Sequence, residues 1–165
     1  MRIRKKALPI LLSLALAIGL CPLCPSTAIA ASAPAASNKY YYSSTYNPYY
    51  SAGLVGQCTW YAQGRASEIL GKKYQQTTYE GNAKTWWSHV KGFSKDQTPA
   101  PNSIACSTGQ WGHVAIVESV GNNGAITVSE YYGSSRRFHT GTYPNGQAWA
   151  KASQCTFQGY IHLKP

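Results

Sequence analysis

Two residues have the types and surroundings that nucleophilic acyl chemistry needs. Cys58 lies in Gly56-Gln57-Cys58-Thr59-Trp60-Tyr61, where a helix-like stretch opens, and His113 lies in Gly112-His113-Val114-Ala115-Ile116-Val117, which alternates like a strand. A thiol attacks well only as thiolate, and its ordinary pKa of about 8.5 falls at a helix N-terminus beside an imidazolium. The helix start supplies the first condition for Cys58. His113 must supply the second across tertiary space.

The elements that position these residues can be read from periodicity. Cys58, Ala62, Ala66 and Ile69 or Leu70 recur at three- and four-residue steps, so residues 58–70 form a helix that Gly71 stops. Asn82 caps a second helix over 83–90, which ends before Gly92. Beyond Pro99 and Pro101 the period changes, and strands are expected over 103–107, 113–120, 125–132, 136–142 and 156–163. Helices first and a largely antiparallel sheet afterwards mean an α+β fold.

The hairpin built on His113 offers a third group. If Gly121-Asn122-Asn123-Gly124 forms a four-residue loop, Val120 faces Ala125, His113 faces Tyr132, and Glu130 is the diagonal neighbour of His113. That face also carries Ala115, Val117, Ile126 and Val128 and is therefore the buried one. A carboxylate there needs a partner, and His113 is available. A two-residue Asn123-Gly124 turn would instead set Glu130 opposite Val117. Bland readings stand beside these: a buried inert thiol at Cys58, a structural histidine at 113, and a surface pairing of Glu130 with Arg136 or Arg137. His89, His139 and His162 read as structural or exposed, and Trp86 and Trp87 as helix packing. Trp60 and Trp111 flank the candidate residues and could wall a cleft.

The chain has 165 residues and a formal net charge of +10. Residues 1–30 read as an export signal: basic Arg2, Arg4, Lys5 and Lys6, an apolar run from Ala7 to Leu20, and Ala28-Ile29-Ala30 as the cleavage site. Leu20 and Leu23 precede Cys21 and Cys24 where lipidation would require a small residue, and the apolar run is shorter than the roughly 20 residues that span a bilayer. No stable membrane anchor is therefore expected after cleavage. Cleavage removes four of the fifteen Lys and Arg residues, leaving 11 minus 5, or +6, on one domain. That balance favours anionic wall polymers as partners, and the absence of basic clusters longer than a pair argues against nucleic acid. Residues 31–52, crowded with Tyr and Ser, read as a flexible linker and 53–165 as the folded domain. Of the cysteines left, Cys106 and Cys155 are expected to pair as a disulfide, which leaves Cys58 free.

Four motifs together resemble the CHAP domain, the cysteine- and histidine-dependent amidohydrolase/peptidase family, in its secreted staphylococcal-antigen-like form. They are Gly56 to Tyr61, Gly81-Asn82-Ala83-Lys84-Thr85-Trp86, Gly112 to Glu118, and Thr127 to Glu130. The resemblance implies a papain-like fold with Cys58 as nucleophile, His113 as general base and Glu130 as the acidic third residue. An asparagine common two positions after that Glu is replaced here by Tyr132, and the calcium loop of some relatives has no counterpart around Leu54 to Gln57. No metal or cofactor is expected. The implied activity is hydrolysis of an amide bond in bacterial peptidoglycan, either next to muramic acid or within the peptides, by a secreted protein, and a single small domain with no exposed heptad pattern gives no reason to expect more than a monomer. Gln57 either donates to the oxyanion or only shapes the turn. Trp60, Trp111 and Tyr132 are further substrate-side candidates. The alternative is a non-catalytic secreted wall-binding protein that keeps the fold.

Overall fold

In the computed structural model, residues 31–75 and 81–164 are described. The export signal read over residues 1–30 lies outside them. The chain forms α1 (Lys39–Tyr42), α2 (Pro48–Ser51), α3 (Cys58–Leu70), a 3-10 turn (Ala83–Thr85) running into α4 (Trp86–His89), β1 (Lys95–Asp96), β2 (Ser103–Thr108), β3 (His113–Val120), β4 (Ile126–Tyr132), β5 (Arg137–Tyr143), α5 (Gly146–Ala152) and β6 (Thr156–His162). The strands make one antiparallel sheet in the order β1-β6-β2-β3-β4-β5, so the fold is α+β, with α3 packed on the antiparallel sheet and α1 and α2 packed on α3.

Helix α3 has sharp ends. Gln57 is extended at its N-cap, and Gly71 turns left-handed (φ 67°, ψ 9°) so that its N–H bonds back to the Glu68 and Ser67 carbonyls. That conformation is cheap only without a Cβ. The helix is buried on most of its circumference, including Trp60, Tyr61, Ala62, Gln63, Gly64 and Ala66. It therefore needs cover on the side away from the sheet.

Residues 38–52 provide that cover, and here the linker reading is corrected. Asn38 and Asn47 accept from Tyr40 N and Tyr49 N to cap two one-turn helices, and Tyr41 and Tyr49 are buried in the core. Trp60 Nε1 donates to the Tyr41 carbonyl, and Asn47 Nδ2 donates to the Trp60 carbonyl. Tyr41 packs so tightly over α3 that a Cβ on Gly64 would lie 2.3 Å from its ring. One-turn helices are too short to imprint a 3.6-residue period, so composition alone gave no sign of them.

The sheet buries both faces. Ile104, Cys106, Val114 and Ile116 join the core under α3, while Ala105, Ala115, Val117, Ile126 and Val128 pack with Trp149 and Ala150 of α5. The expected disulfide is absent: Cys58, Cys106 and Cys155 are all free thiols. Cys106 is paired laterally with Val114 and Gly159 inside the sheet, whereas Cys155 lies past the Thr108–Thr156 pair that ends the β2–β6 ladder. At about 3.3 Å per residue, that offset exceeds the span of a disulfide.

Candidate active site

Cys58 is the first residue of α3 and is half-buried. His113 is the first residue of β3 and is nearly fully buried. Gly112, just before it, has φ +71°, and a Cβ there would meet the Lys84 backbone nitrogen at 2.3 Å. Lys84 N donates to the Trp111 carbonyl at 3.0 Å, and Ser107 Oγ donates to the His113 carbonyl at 3.0 Å. The loop into His113 is thus fixed from both sides.

The β3–β4 hairpin brings Glu130 to His113 by a route the simple count did not contain. At the tip, Val120 pairs with Ile126 and Ser119 with Thr127, one step out of the expected register. A bulge at Glu118 then restores it, so that Val117 faces Val128 and Ile116 faces Ser129. Continued along the strands, that register sets His113 opposite Tyr132, whose rings stack at 5.5 Å with 2° between planes. His113 Nε2 donates to Glu130 Oε2 at 2.8 Å.

Glu130 is fully buried, with 0% of its surface exposed. Besides His113 it accepts from Trp149 Nε1 at 2.9 Å and from His139 Nδ1 at 3.1 Å. Burial by itself raises a carboxyl, but His113, Trp149 and His139 outweigh it and hold Glu130 below its ordinary value. Burial likewise disfavours a charged imidazole at His113. The side chains of Cys58 and Glu130 more than compensate, and His113 is pushed up to about 10. The imidazole thus meets the Cys58 side chain and the Glu130 carboxylate, both of which favour its charged form.

Other candidates fall on both sides of the expectation. The Gln57 side chain makes no cap bond to α3 and lies against Gly133, where a Cβ would come within 2.4 Å of its Oε1. Trp111 is 63% exposed beside His113, but Trp60 is wholly enclosed in the core and walls no cleft. Cys106 is buried away from the thiol–imidazole pair, and burial pushes its own thiol up. Among the described residues, no group of three or more His, Cys, Asp or Glu side chains is placed to hold a metal.

Two residues at the site were not foreseen. His139 was read as structural or exposed, yet it pairs directly with Glu130 across β4 and β5. Counting outward from the four residues between Tyr132 and Arg137 gives that partner from sequence. Trp149 lies on α5, between the strands expected over 136–142 and 156–163; it donates to Glu130 and also stacks on His113 at 5.5 Å. The cue was Asn145, whose Oδ1 caps the helix by accepting from Ala148 N at 2.8 Å.

An α+β domain with a thiol leading a buried helix, and an imidazole–carboxylate pair on the adjoining antiparallel sheet, has the papain-like arrangement. Residues 44–132 match the CHAP domain family, and the chain belongs to it. It is similar to N-acetylmuramoyl-L-alanine amidase sle1 of Staphylococcus haemolyticus, with 38% identity over 117 residues, 64% of this chain and 35% of that protein. Staphylococcal secretory antigen SsaA of Staphylococcus epidermidis is 35% identical over 111 residues, covering 65% of this chain and 38% of the relative. The probable autolysin SsaALP of Staphylococcus aureus is 34% identical over 111 residues, covering 66% and 39%. The chain thus spans somewhat over a third of the length of these curated relatives. A solved N-acetylmuramoyl-L-alanine amidase from Staphylococcus aureus aligns with a TM-score of 0.48 at 25% identity, covering 66% of this chain and 31% of that one.

Proposed function

We propose that this chain is an exported cysteine hydrolase that cleaves an amide bond of bacterial peptidoglycan, with Cys58 as nucleophile, His113 as proton carrier and Glu130 as its orienting partner. The observation that carries this reading is the buried His113–Glu130 hydrogen bond of 2.8 Å beside the Cys58 side chain. With Nε2 committed to Glu130, Nδ1 is the nitrogen that exchanges a proton with the thiol. The Cys58 sulfur adds to the amide carbonyl, and the oxyanion takes hydrogen bonds from the Cys58 backbone N–H and the Gln57 side chain, which capping leaves free. The His113 imidazolium then protonates the departing amine as the C–N bond breaks. Water, deprotonated by His113, attacks the thioester and releases acid and thiol. The names of the amidase and autolysin relatives support the wall substrate, and the secretory antigens support export. Anionic wall polymers are complementary to the surplus of Lys and Arg.

The test is clearing of purified peptidoglycan by wild type and by Cys58→Ala, with the products read by mass spectrometry. Wild type releases new amino termini, and their chemical neighbours identify an amidase or an endopeptidase. Equal clearing by the variant removes Cys58 from the chemistry. Binding to walls without cleavage by either protein favours the adhesive alternative.

A further inference from the structure

A carboxylate that orients an imidazole does so only while its own plane is fixed, because rotation about its last torsion moves both oxygens off the acceptor direction. Glu130 receives donors from three elements. Oε2 is shared by His113 Nε2 of β3 at 2.8 Å and Trp149 Nε1 of α5 at 2.9 Å, while Oε1 is held by His139 Nδ1 of β5 at 3.1 Å. A carboxylate only accepts, so each of these nitrogens carries the proton it donates.

We propose that Trp149 and His139 are positioning residues, which lock the Glu130 carboxylate against His113 by one oxygen each, and that the Trp149 indole covers the imidazole–carboxylate bond against water. The inference rests on the function proposed above. Both residues lie past residue 132, where the family match ends. Their chemistry suits the task. An indole N–H is a donor with no acceptor and no accessible titration, so Trp149 stabilises the anion without competing as a proton source. Its ring is buried, stacks on His113 at 5.5 Å, and packs in the core with Ala115, Val117 and Val128. His139 closes the other side, with 41% of its side chain exposed, and Tyr132 stands between the two imidazoles at 5.5 and 5.4 Å. The ionisable groups facing Glu130 are His113 from β3, His139 from β5 and Tyr132 from β4, with Cys58 beyond His113 and Tyr143 beyond Tyr132.

The experiment uses the full chain and follows the His113 ring signal by NMR titration, together with Cys58 alkylation by iodoacetamide at pH 7 located by mass spectrometry. Neither readout needs peptidoglycan, so both report even if the wall is not the substrate. Trp149→Phe, which keeps a ring and removes the N–H, should lower the His113 midpoint by up to about one pH unit, because the lost bond is to Glu130 and its loss reaches the imidazole through a carboxylate now free to turn. On peptidoglycan it should cut kcat about tenfold with KM held within about twofold. In a Glu130→Gln background the same substitution should move the midpoint no further, because its effect runs through the carboxylate. His139→Gln, which retains an N–H donor, should stay closer to wild type than His139→Leu. A Trp149→Phe protein that melts earlier but keeps the wild-type midpoint and alkylation rate would overturn the proposal, as would an equal shift in both backgrounds. Should Trp149→Phe not fold, the His139 pair decides by the same two readouts.

Discussion

Arg65 and Glu118 join the helix that bears the thiol to the hairpin that bears the imidazole. Arg65 Nε donates to Glu118 Oε1 at 3.0 Å and Nη2 to Oε2 at 2.8 Å, a two-pronged contact. Ser129 Oγ adds a third donor to Oε1 at 2.6 Å and itself accepts from the Tyr61 hydroxyl at 2.8 Å. Arg65 lies two turns along α3 from Cys58, and Glu118 is the bulged residue of β3. The pair ties α3 to the β3–β4 hairpin on the side of the sheet that faces the helix.

Glu118→Gln should therefore destabilise the fold by about 2 kcal/mol, since it removes the two-pronged charged contact and leaves the Arg65 guanidinium with the half-exposed Glu68 carboxylate at 2.8 Å. Urea unfolding measures the loss. Turnover of peptidoglycan should fall as well, at a temperature where the variant is fully folded. A variant as stable as wild type would show that the contact is solvated and carries little.

The His113–Glu130 pair sets a pH dependence of stability. The folded value for His113, about 10, exceeds its ordinary 6.5, so the protonated imidazole stabilises the fold fully below pH 6.5 and this contribution is lost as pH rises through 10. Glu130 is held below its ordinary 4.5, so its contribution is in place above that pH and is lost as pH falls through the lower folded value. Melting temperature should decline between pH 6.5 and 10, more steeply in wild type than in Glu130→Gln. Parallel slopes would remove the coupling.

Gly64 is a point where a methyl group should do harm. On an exposed helix, alanine is favoured over glycine by about 1 kcal/mol, but here the Cβ would lie 2.3 Å from the Tyr41 ring and overpacking costs about 1–3 kcal/mol. Gly64→Ala should lower the melting temperature of wild type and be neutral or stabilising in a Tyr41→Ala background. The same sign in both would mean that the segment before residue 53 does not bear on α3.

Thiol counting tests the cysteine assignment. Protein beginning at residue 31 should release three equivalents of thiol to Ellman's reagent in denaturant, while in the folded state Cys106, buried at 0% exposure, should react far more slowly than Cys58 and Cys155. One equivalent in denaturant after non-reducing purification would restore the bridge.

Most of what could be read from the sequence had strong local punctuation. The helix from Cys58 to Leu70 was legible because Gly71 and an apolar face bound it, and β3 because its alternation is uninterrupted. The diagonal from His113 to Glu130 emerged from a wrong loop length that a bulge happened to correct. What was missed depended on partners far along the chain. Tyr41 and Tyr49 become core only because α3 needs a second cover, and α5 hides in a Pro-Asn-Gly run that reads as a turn. Cys106 reads as polar-flanked, but its serine neighbours Ser103 and Ser107 are themselves fully buried.

The bulge at Glu118 works as a phase corrector. Five residues bridge Val120 and Ile126, one more than the hairpin count allows, and the surplus residue in β3 brings the two strands back into step before His113 is reached. Paired one to one with Val128, Glu118 would carry His113 round to face Gly133 and set Glu130 opposite Ile116, on the other side of the sheet. The extra residue is therefore what keeps imidazole and carboxylate on a common face, and a straightened strand of the same length would part them.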